Sequence, residues 1–272
     1  MLIHLPNGRE GYAAVLDYVV RNGVPSAPRG LKTWDAGTVT IVLDSPRNAL
    51  PLHTGRRVSR RVAAAEAVQL IGGFSRPELL PASFDRFKED DGRFWGAYGV
   101  RIGGQLADVT RKLRSDRDSR QAVITLWNPA LDNVEPRKRD HPCTVALGFR
   151  IIQDELRMNV VMRSSDAWLG IPYDFFQFTQ LQLSLAHLIG VAPGRYTHTT
   201  WSLHLYEEHM ELVPAVTTGG DTAVYQPEGI DGVEFGSASV EDLQVRALMV
   251  AGCYTWSQYT ASERWYVDAL AR

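Results

Sequence analysis

The chain has 272 residues, 44% hydrophobic and 22% charged, the make-up of an ordinary globular protein, which excludes disordered, collagen-like and coiled-coil classes. Its 29 basic and 31 acidic side chains leave a formal charge of -2, too small for whole-surface attraction to nucleic acid or an anionic membrane. The N-terminus, MLIHLPNGRE, lacks the basic-then-apolar pattern of a signal peptide and the chain has only two cysteines, Cys143 and Cys253, so a cytoplasmic protein is expected. The most apolar run, Phe175 to Val191, is interrupted by Gln177, Gln180, Gln182 and His187 and reads as a buried helix, not a membrane span. GYAAVLDYVVRNG sets Tyr12, Val15, Leu16, Val19 and Val20 at helical spacing, with Gly23 as the stop. VPSAPRGLKTWDAGT reads as a loop with an exposed arginine and lysine, feeding a β-branched strand over Thr38 to Leu43. An Ala- and Val-rich helix follows from Val58 to Ile71, ends at Gly72-Gly73, and carries one unexplained carboxylate, Glu66, among apolar neighbours.

GQLADVTRKLR, residues 104–114, predicts a helix with Leu106, Val109 and Leu113 on one face, and QAVITLW predicts the strand after it. TVALGFRII and LRMNVVMR flank Gln153-Asp154-Glu155 as an antiparallel hairpin, with Cys143 just before it. A Gly-, Pro- and Asp-rich loop, a helix over Phe175 to Ile189 closed by Gly190, and a strand from Thr199 to Tyr206 complete the readable part. After Gly219 no boundaries can be read. Helices and strands intermix without regular alternation, so the expected class is α+β, as a single domain over residues 1–272.

Taken alone, Cys143 reads as a small buried hydrophobe, the commonest fate of cysteine. Arg137, Lys138 and Arg139 precede it, Pro142 fixes the backbone approach, and positive charge favours the nucleophilic thiolate, although such a basic run is also read as a solvated turn. In RSSDAWLGIPYD, residues 163–174, an arginine with adjacent hydroxyls suits a phosphate, because the guanidinium forks onto two oxygens while serine donates to a third. Structural ion pairs explain such sets more often. His204 and Tyr206, two apart in a strand, share one face and suit either a sugar or a core.

In order along the chain, these segments resemble the thymidylate synthase family. DSRQAVITLWN is similar to its D-S-R-R strand, HPCTVALGF to its P-C-H nucleophile segment, RSSDAWLGIPYD to R-S-x-D-x-x-L-G-x-P-F-N, and HLYEEH to H-x-Y-x-x-H. NALPLHTGRRVSRRVAAAEAVQLIGG is similar to the P-L-x-T-x-K stretch and the helix bearing the family's glutamate. The likeness runs from about residue 10 to about 212. It implies a mixed sheet packed by helices whose face forms a homodimer interface. Cys143 would attack C6 of a pyrimidine nucleotide monophosphate, and Glu66 would order water at the base. Arg163, Ser164 and Arg120 would hold the phosphate, Arg120 from across the dimer, with Arg29 a further candidate. Asp166 and Gly170 would lie against base and folate, His204 and Tyr206 would bind the sugar 3'-hydroxyl, and Tyr98 in WGAYG would help proton removal at C5. The cosubstrate implied is 5,10-methylenetetrahydrofolate, with no metal.

The departures narrow the expectation. Asp174 stands where thymidylate synthases carry the asparagine that reads uracil, an exchange that resembles the deoxycytidylate and cytidylate hydroxymethylases. A protonated carboxyl donates to N3 of cytosine and accepts from its 4-amino group, whereas a carboxylate facing uracil O4 sets acceptor against acceptor. Thr144 replaces the histidine after the nucleophile, Gln121 replaces the second arginine, and Phe84 and Phe87 stand where tryptophans flank the folate. The expected reaction is therefore (d)CMP with methylenetetrahydrofolate and water giving 5-hydroxymethyl-(d)CMP and tetrahydrofolate, with dCMP favoured. The alternatives are methylation of dUMP by an atypical thymidylate synthase, and a degenerate nucleotide- or RNA-binding regulator, the latter disfavoured by the presence of both Cys143 and Glu66.

Overall fold

The computed structural model describes residues 1–51, 53, 55–133, 138–218, 237–252 and 259–271. In chain order the strands are β1 (Leu2–Leu5), β2 (Val24–Ser26), β3 (Thr33–Asp35), β4 (Val39–Leu43), β5 (Val123–Thr125), β6 (Thr144–Ile152), β7 (Glu155–Met162), β8 (Ser165–Asp166), β9 (Ala192–Thr200) and β10 (Leu203–Tyr206). The helices are α1 (Gly8–Asn22), α2 (Arg60–Gly72), α3 (Tyr98–Ile102), α4 (Gln105–Ser115), α5 (Pro129–Asp132), α6 (Ile171–Ile189), α7 (Glu207–Met210), α8 (Pro214–Thr217), α9 (Val240–Val250) and α10 (Ala261–Ala271). The mixed α+β class is as expected. Among the described residues no helix is long and apolar enough to cross a membrane.

Two sheets organise the molecule. The larger runs β1-β4-β9-β7-β6-β5, the smaller β2-β3-β10-β8. In the larger, β6 and β7 form the expected antiparallel hairpin, and β7 lies parallel to β9. The hairpin turns through Gln153 and Asp154, both at positive φ, which suits a tight turn matched to strand twist. Helix α6 lies across this sheet, buried along nearly its whole length. One of its glutamines serves the backbone beneath it: Gln182 Nε2 donates to Leu156 O and Gly194 O, each at 2.8 Å. Those carbonyls sit where the β7–β9 register slips between Leu156 and Met158, so the side chain satisfies acceptors that an irregular ladder leaves open.

Local signals decided several boundaries. Asn7 caps α1 by accepting from Glu10 N, and Ser59 caps α2 by accepting from Val62 N. Gly73 and Gly190 close α2 and α6 at φ 71° and 77°, the left-handed geometry that glycine adopts without a Cβ penalty. Tyr12, Val15, Leu16 and Val19 are buried on α1, but Val20 is exposed. On α4, Leu106, Val109 and Leu113 are buried as the spacing predicts.

Four expectations need correction. The loop from residue 24 to 37 holds β2 and β3, because Pro and Gly mark its bends while Thr33–Asp35 pairs with both β2 and β10. The single strand from Thr199 to Tyr206 is two strands in different sheets, broken at Trp201-Ser202, where Ser202 Oγ donates to Asp35 Oδ2 at 2.7 Å. The last long helix starts at Ile171, not Phe175, so Asp174 sits in its first turn and not in a loop. Beyond Gly219, α9 and α10 pack against α2. Cys253 and Arg137 lie outside the described residues.

Candidate active site

The hairpin brings the thiol and its cation together. Cys143 immediately precedes β6 and Arg163 immediately follows β7, so the antiparallel ladder makes them neighbours although 20 residues separate them. Arg163 N donates to Cys143 O at 2.8 Å, and its Nη2 lies 3.6 Å from Cys143 Sγ. The same guanidinium donates from Nε to Pro142 O and from Nη2 to His141 O. A register shift between Thr144 and Ala146 follows directly, the kind of irregularity that re-aims side chains beside a site. Burial pushes the Cys143 thiol above its ordinary value, while Arg163 and, more weakly, Arg29 draw it back down. Of the basic run before it, Lys138 and Arg139 are engaged elsewhere, and Arg137 lies outside the described residues. Arg139 is engaged by Asp90 and Glu89, and Lys138 lies 4.5 Å over the Trp95 ring.

The acids come from two packed helices. Glu66 on α2 and Asp174 on α6 meet where those helices cross, and both have strongly raised proton affinity. Burial, together with the nearby Asp174 charge, lifts Glu66 to about 8. Burial lifts Asp174 to about 7 against the hydrogen bond it receives from Gln177. Gln177 Nε2 donates to Asp174 Oδ1 at 3.1 Å and to Glu66 Oε2 at 3.4 Å. A third carboxyl, Asp140, is also pushed up by burial, and its Oδ2 accepts from Gly96 N at 3.0 Å. A Cβ on Gly96 would stand 2.7 Å from Pro142 N, so only glycine lets the 95–98 turn seat against the segment that carries Cys143. That seating places the Tyr98 hydroxyl to accept from Thr144 N at 3.3 Å, its ring stacked on Phe178. Burial and the adjacent Cys143 and Asp174 keep this phenol protonated.

The segment from Arg163 to Gly170 closes the site from the other side. Asp166 Oδ1 accepts from Trp168 N and Leu169 N, whereas Oδ2 is buried with no partner. An orphaned acceptor in a carboxyl whose proton affinity burial has raised fits a ligand that brings an N–H or takes a proton there. Gly170 precedes α6, and a Cβ there would come 3.4 Å from Asp174 Oδ2. Ser164 Oγ and His204 Nδ1 are 3.4 Å apart, and the His204 and Tyr206 rings meet edge to face at 5.5 Å. These two rings share a face of β10, as their spacing predicts.

Other expected residues are more peripheral, although Arg29 acts on the thiol through its charge. Arg120 is exposed in the turn between α4 and β5, without a side-chain partner among the described residues, and Gln121 follows it, also exposed. Arg29 is exposed at φ 59° in a short turn over Pro28–Gly30, a left-handed conformation costly for a non-glycine residue. Phe84 and Phe87 meet edge to face at 6.2 Å in a 3₁₀ turn over Ala82–Phe87, with Arg86 over the Phe87 ring. Gln177 and Asp140 escaped sequence reading, although Gln177 stood out as a polar break in an apolar run. Among the described residues no cluster of His, Cys, Asp or Glu could hold a metal ion.

Fold and site together define an α+β protein in which the Cys143 thiol, its guanidinium and a set of partly buried carboxyls converge beside the first turn of one central helix. The chain belongs to the thymidylate synthase family, whose model matches residues 10–226. It is 30% identical over 215 residues to a deoxyuridylate hydroxymethyltransferase of Bacillus phage SP01, an alignment covering 72% of this chain and 56% of that protein. The chain thus spans little more than half the length of that relative.

Proposed function

We propose that this chain is a folate-dependent pyrimidine-nucleotide 5-hydroxymethylase acting on cytosine, converting (d)CMP, methylenetetrahydrofolate and water to 5-hydroxymethyl-(d)CMP and tetrahydrofolate, with dCMP preferred over CMP. The observation that carries the reading is Asp174. A carboxyl that titrates at about 7 is largely protonated through the lower physiological range. It offers cytosine what cytosine needs, a hydrogen for N3 and an oxygen for the 4-amino group.

In the proposed reaction Cys143 forms an Sγ–C6 bond while the Asp174 proton is held at N3, so the electron pair leaving the 5,6 double bond is stabilised in the ring and C5 becomes nucleophilic. The one-carbon unit, at the oxidation level of formaldehyde, would become bonded to C5 as its bond to the folate nitrogen breaks and tetrahydrofolate is released, and Asp166 and Gly170 are the residues that would hold the folate. Loss of the C5 proton is assisted at the Tyr98 hydroxyl. Glu66 orders the water whose oxygen adds to the exocyclic carbon, and departure of Cys143 restores the 5,6 double bond. Arg163 and Ser164 serve the phosphate, Arg29 completes it, and Arg120 does so from the second subunit of a homodimer built on the larger sheet. His204 and Tyr206 take the sugar.

A second reading, hydroxymethylation of dUMP, is favoured by the name of the phage relative. Incubating the protein with methylenetetrahydrofolate and each of CMP, dCMP, UMP and dUMP, and weighing the nucleotide products, tests both. Hydroxymethylcytosine nucleotide supports the proposal. Hydroxymethyluracil alone supports the second reading, and thymidylate would place the chain with the methylating enzymes.

A further inference from the structure

We infer that Gln177 sets the base preference of this site by fixing which oxygen of Asp174 carries the proton. The inference rests on the cytosine reading above and deepens it. Gln177 is 4% exposed, and from one turn beyond Asp174 its amide nitrogen reaches both acids, Asp174 Oδ1 and Glu66 Oε2. An amide NH₂ has two hydrogens and accepts none. One goes to each carboxyl, so both of those oxygens must act as acceptors.

The consequence is directional. A proton held by Asp174 cannot sit on Oδ1 facing the amide hydrogen, because donor would meet donor; it goes to Oδ2. That oxygen lies on the Gly170 side, 3.4 Å from where a Cβ on Gly170 would stand. Asp174 therefore presents an O–H on Oδ2 beside the remaining lone pair of Oδ1, which is the pair complementary to cytosine for a base whose N3 meets Oδ2. The same amide ties Glu66 to the register of α6, so the water-ordering acid and the base-reading acid move as one unit. With the amide reversed, its oxygen would confront both acids, and the proton would be drawn to Oδ1, away from the base. Gln177 touches neither base nor folate in this scheme, so it is a positioning residue.

The test is Gln177→Met, which keeps length and volume but removes the donor, compared with wild type, Asp174→Asn and the double variant. Specificity constants for dCMP and dUMP are measured from pH 6 to 9 in each, after thermal melts confirm folding. The cytosine-to-uracil ratio should fall on the order of tenfold or more in Gln177→Met, the scale of one buried charge-assisted hydrogen bond. The alkaline limb of the dCMP profile should move to higher pH, since a hydrogen bond that stabilises the charged carboxylate has gone. Beside the Gln177 amide, the titratable groups bearing on Asp174 are Glu66 from α2, Tyr98 from α3, Cys143 before β6, Asp166 from β8 and Tyr196 from β9, and none is altered. Because Gln177 acts through Asp174, the double variant should show the ratio of Asp174→Asn alone. Equal losses for both bases with an unmoved pH limb would make Gln177 merely structural and overturn the inference. Should the Met variant not fold, Gln177→Asn, which keeps the amide but shortens its reach, must give the same two changes. A wild type without cytosine preference defeats the underlying reading; a wild type that prefers cytosine with an unchanged ratio in Gln177→Met defeats only the role of Gln177.

Discussion

Replacing Asp174 by Asn perturbs one atom of a buried side chain and should change both which base reacts and how stability depends on pH. Uracil presents O4 as an acceptor and N3–H as a donor, so an Asp174 whose proton is held on the oxygen that meets N3 mismatches at both positions. At about 1–3 kcal/mol per unsatisfied buried group, two mismatches are worth about 2–6 kcal/mol, and the cytosine-to-uracil ratio of kcat/KM should drop by at least about 30-fold in the variant. The alkaline fall in dCMP activity, centred near the Asp174 value of about 7, should be absent from the variant's dUMP profile. Stability follows from the same shift. The folded value lies above the ordinary 3.8, so the protonated form is the one the fold favours. Its contribution is complete below about pH 4 and is lost as pH rises through about 7, after which the fold carries a buried carboxylate. About three pK units at about 1.4 kcal/mol each give up to about 4 kcal/mol, which asparagine does not incur. Denaturant titrations at pH 5 and pH 8 should therefore show Asp174→Asn gaining on wild type at the higher pH, with Glu66 leaving a residual slope in both. An unchanged base ratio would remove Asp174 from base reading, and parallel pH–stability curves would refute the burial argument.

Cys143→Ser should lower turnover by at least about 10³-fold while nucleotide affinity, measured by calorimetry, stays near wild type, because a hydroxyl is similar in size but a far weaker nucleophile. Arg163→Gln should slow alkylation of Cys143 by iodoacetamide at pH 8 several-fold, since burial then acts on the thiol without its nearest cation. Asp132→Ala should cost about 3–5 kcal/mol in urea unfolding, because the Arg101 guanidinium binds both Asp132 oxygens at 2.7 and 2.8 Å and would be left without them. In direct competition between equal CMP and dCMP, hydroxymethyl-dCMP should predominate; a predominance of hydroxymethyl-CMP would show that Ser164, His204 and Tyr206 together do not exclude ribose.

Much of the candidate site was legible from short-range pattern. Cys143 and Arg163 flank two β-rich runs separated by a turn, so hairpin pairing alone makes them neighbours, and the spacing of His204 and Tyr206 puts both rings on one face. Glu66 announced itself as a charge inside an apolar helix. Gln177 was visible only as an interruption, because an uncharged amide in a buried helix carries no signal of what it binds. The basic run before Cys143 misled, since proximity in sequence said nothing of Asp90 and Glu89, about fifty residues earlier, which hold Arg139.

Periodicity, caps and turn chemistry are local properties, and the sequence by itself determined what they govern: α1, α2, α4, the β6–β7 hairpin, the glycine stops at Gly73 and Gly190, and the α+β class. The tertiary structure alone decided what depends on distant partners. Thr33–Asp35 is a strand because β10 lies beside it, and the run from Thr199 to Tyr206 divides because its halves pair in different sheets. Asp174 holds its proton more tightly than an ordinary carboxylate because packing of α2 on α6 strips water from it and sets Glu66 and Gln177 against it. Desolvation by groups that meet only in the folded chain shifts a proton by several pK units, and no spacing along the chain encodes that.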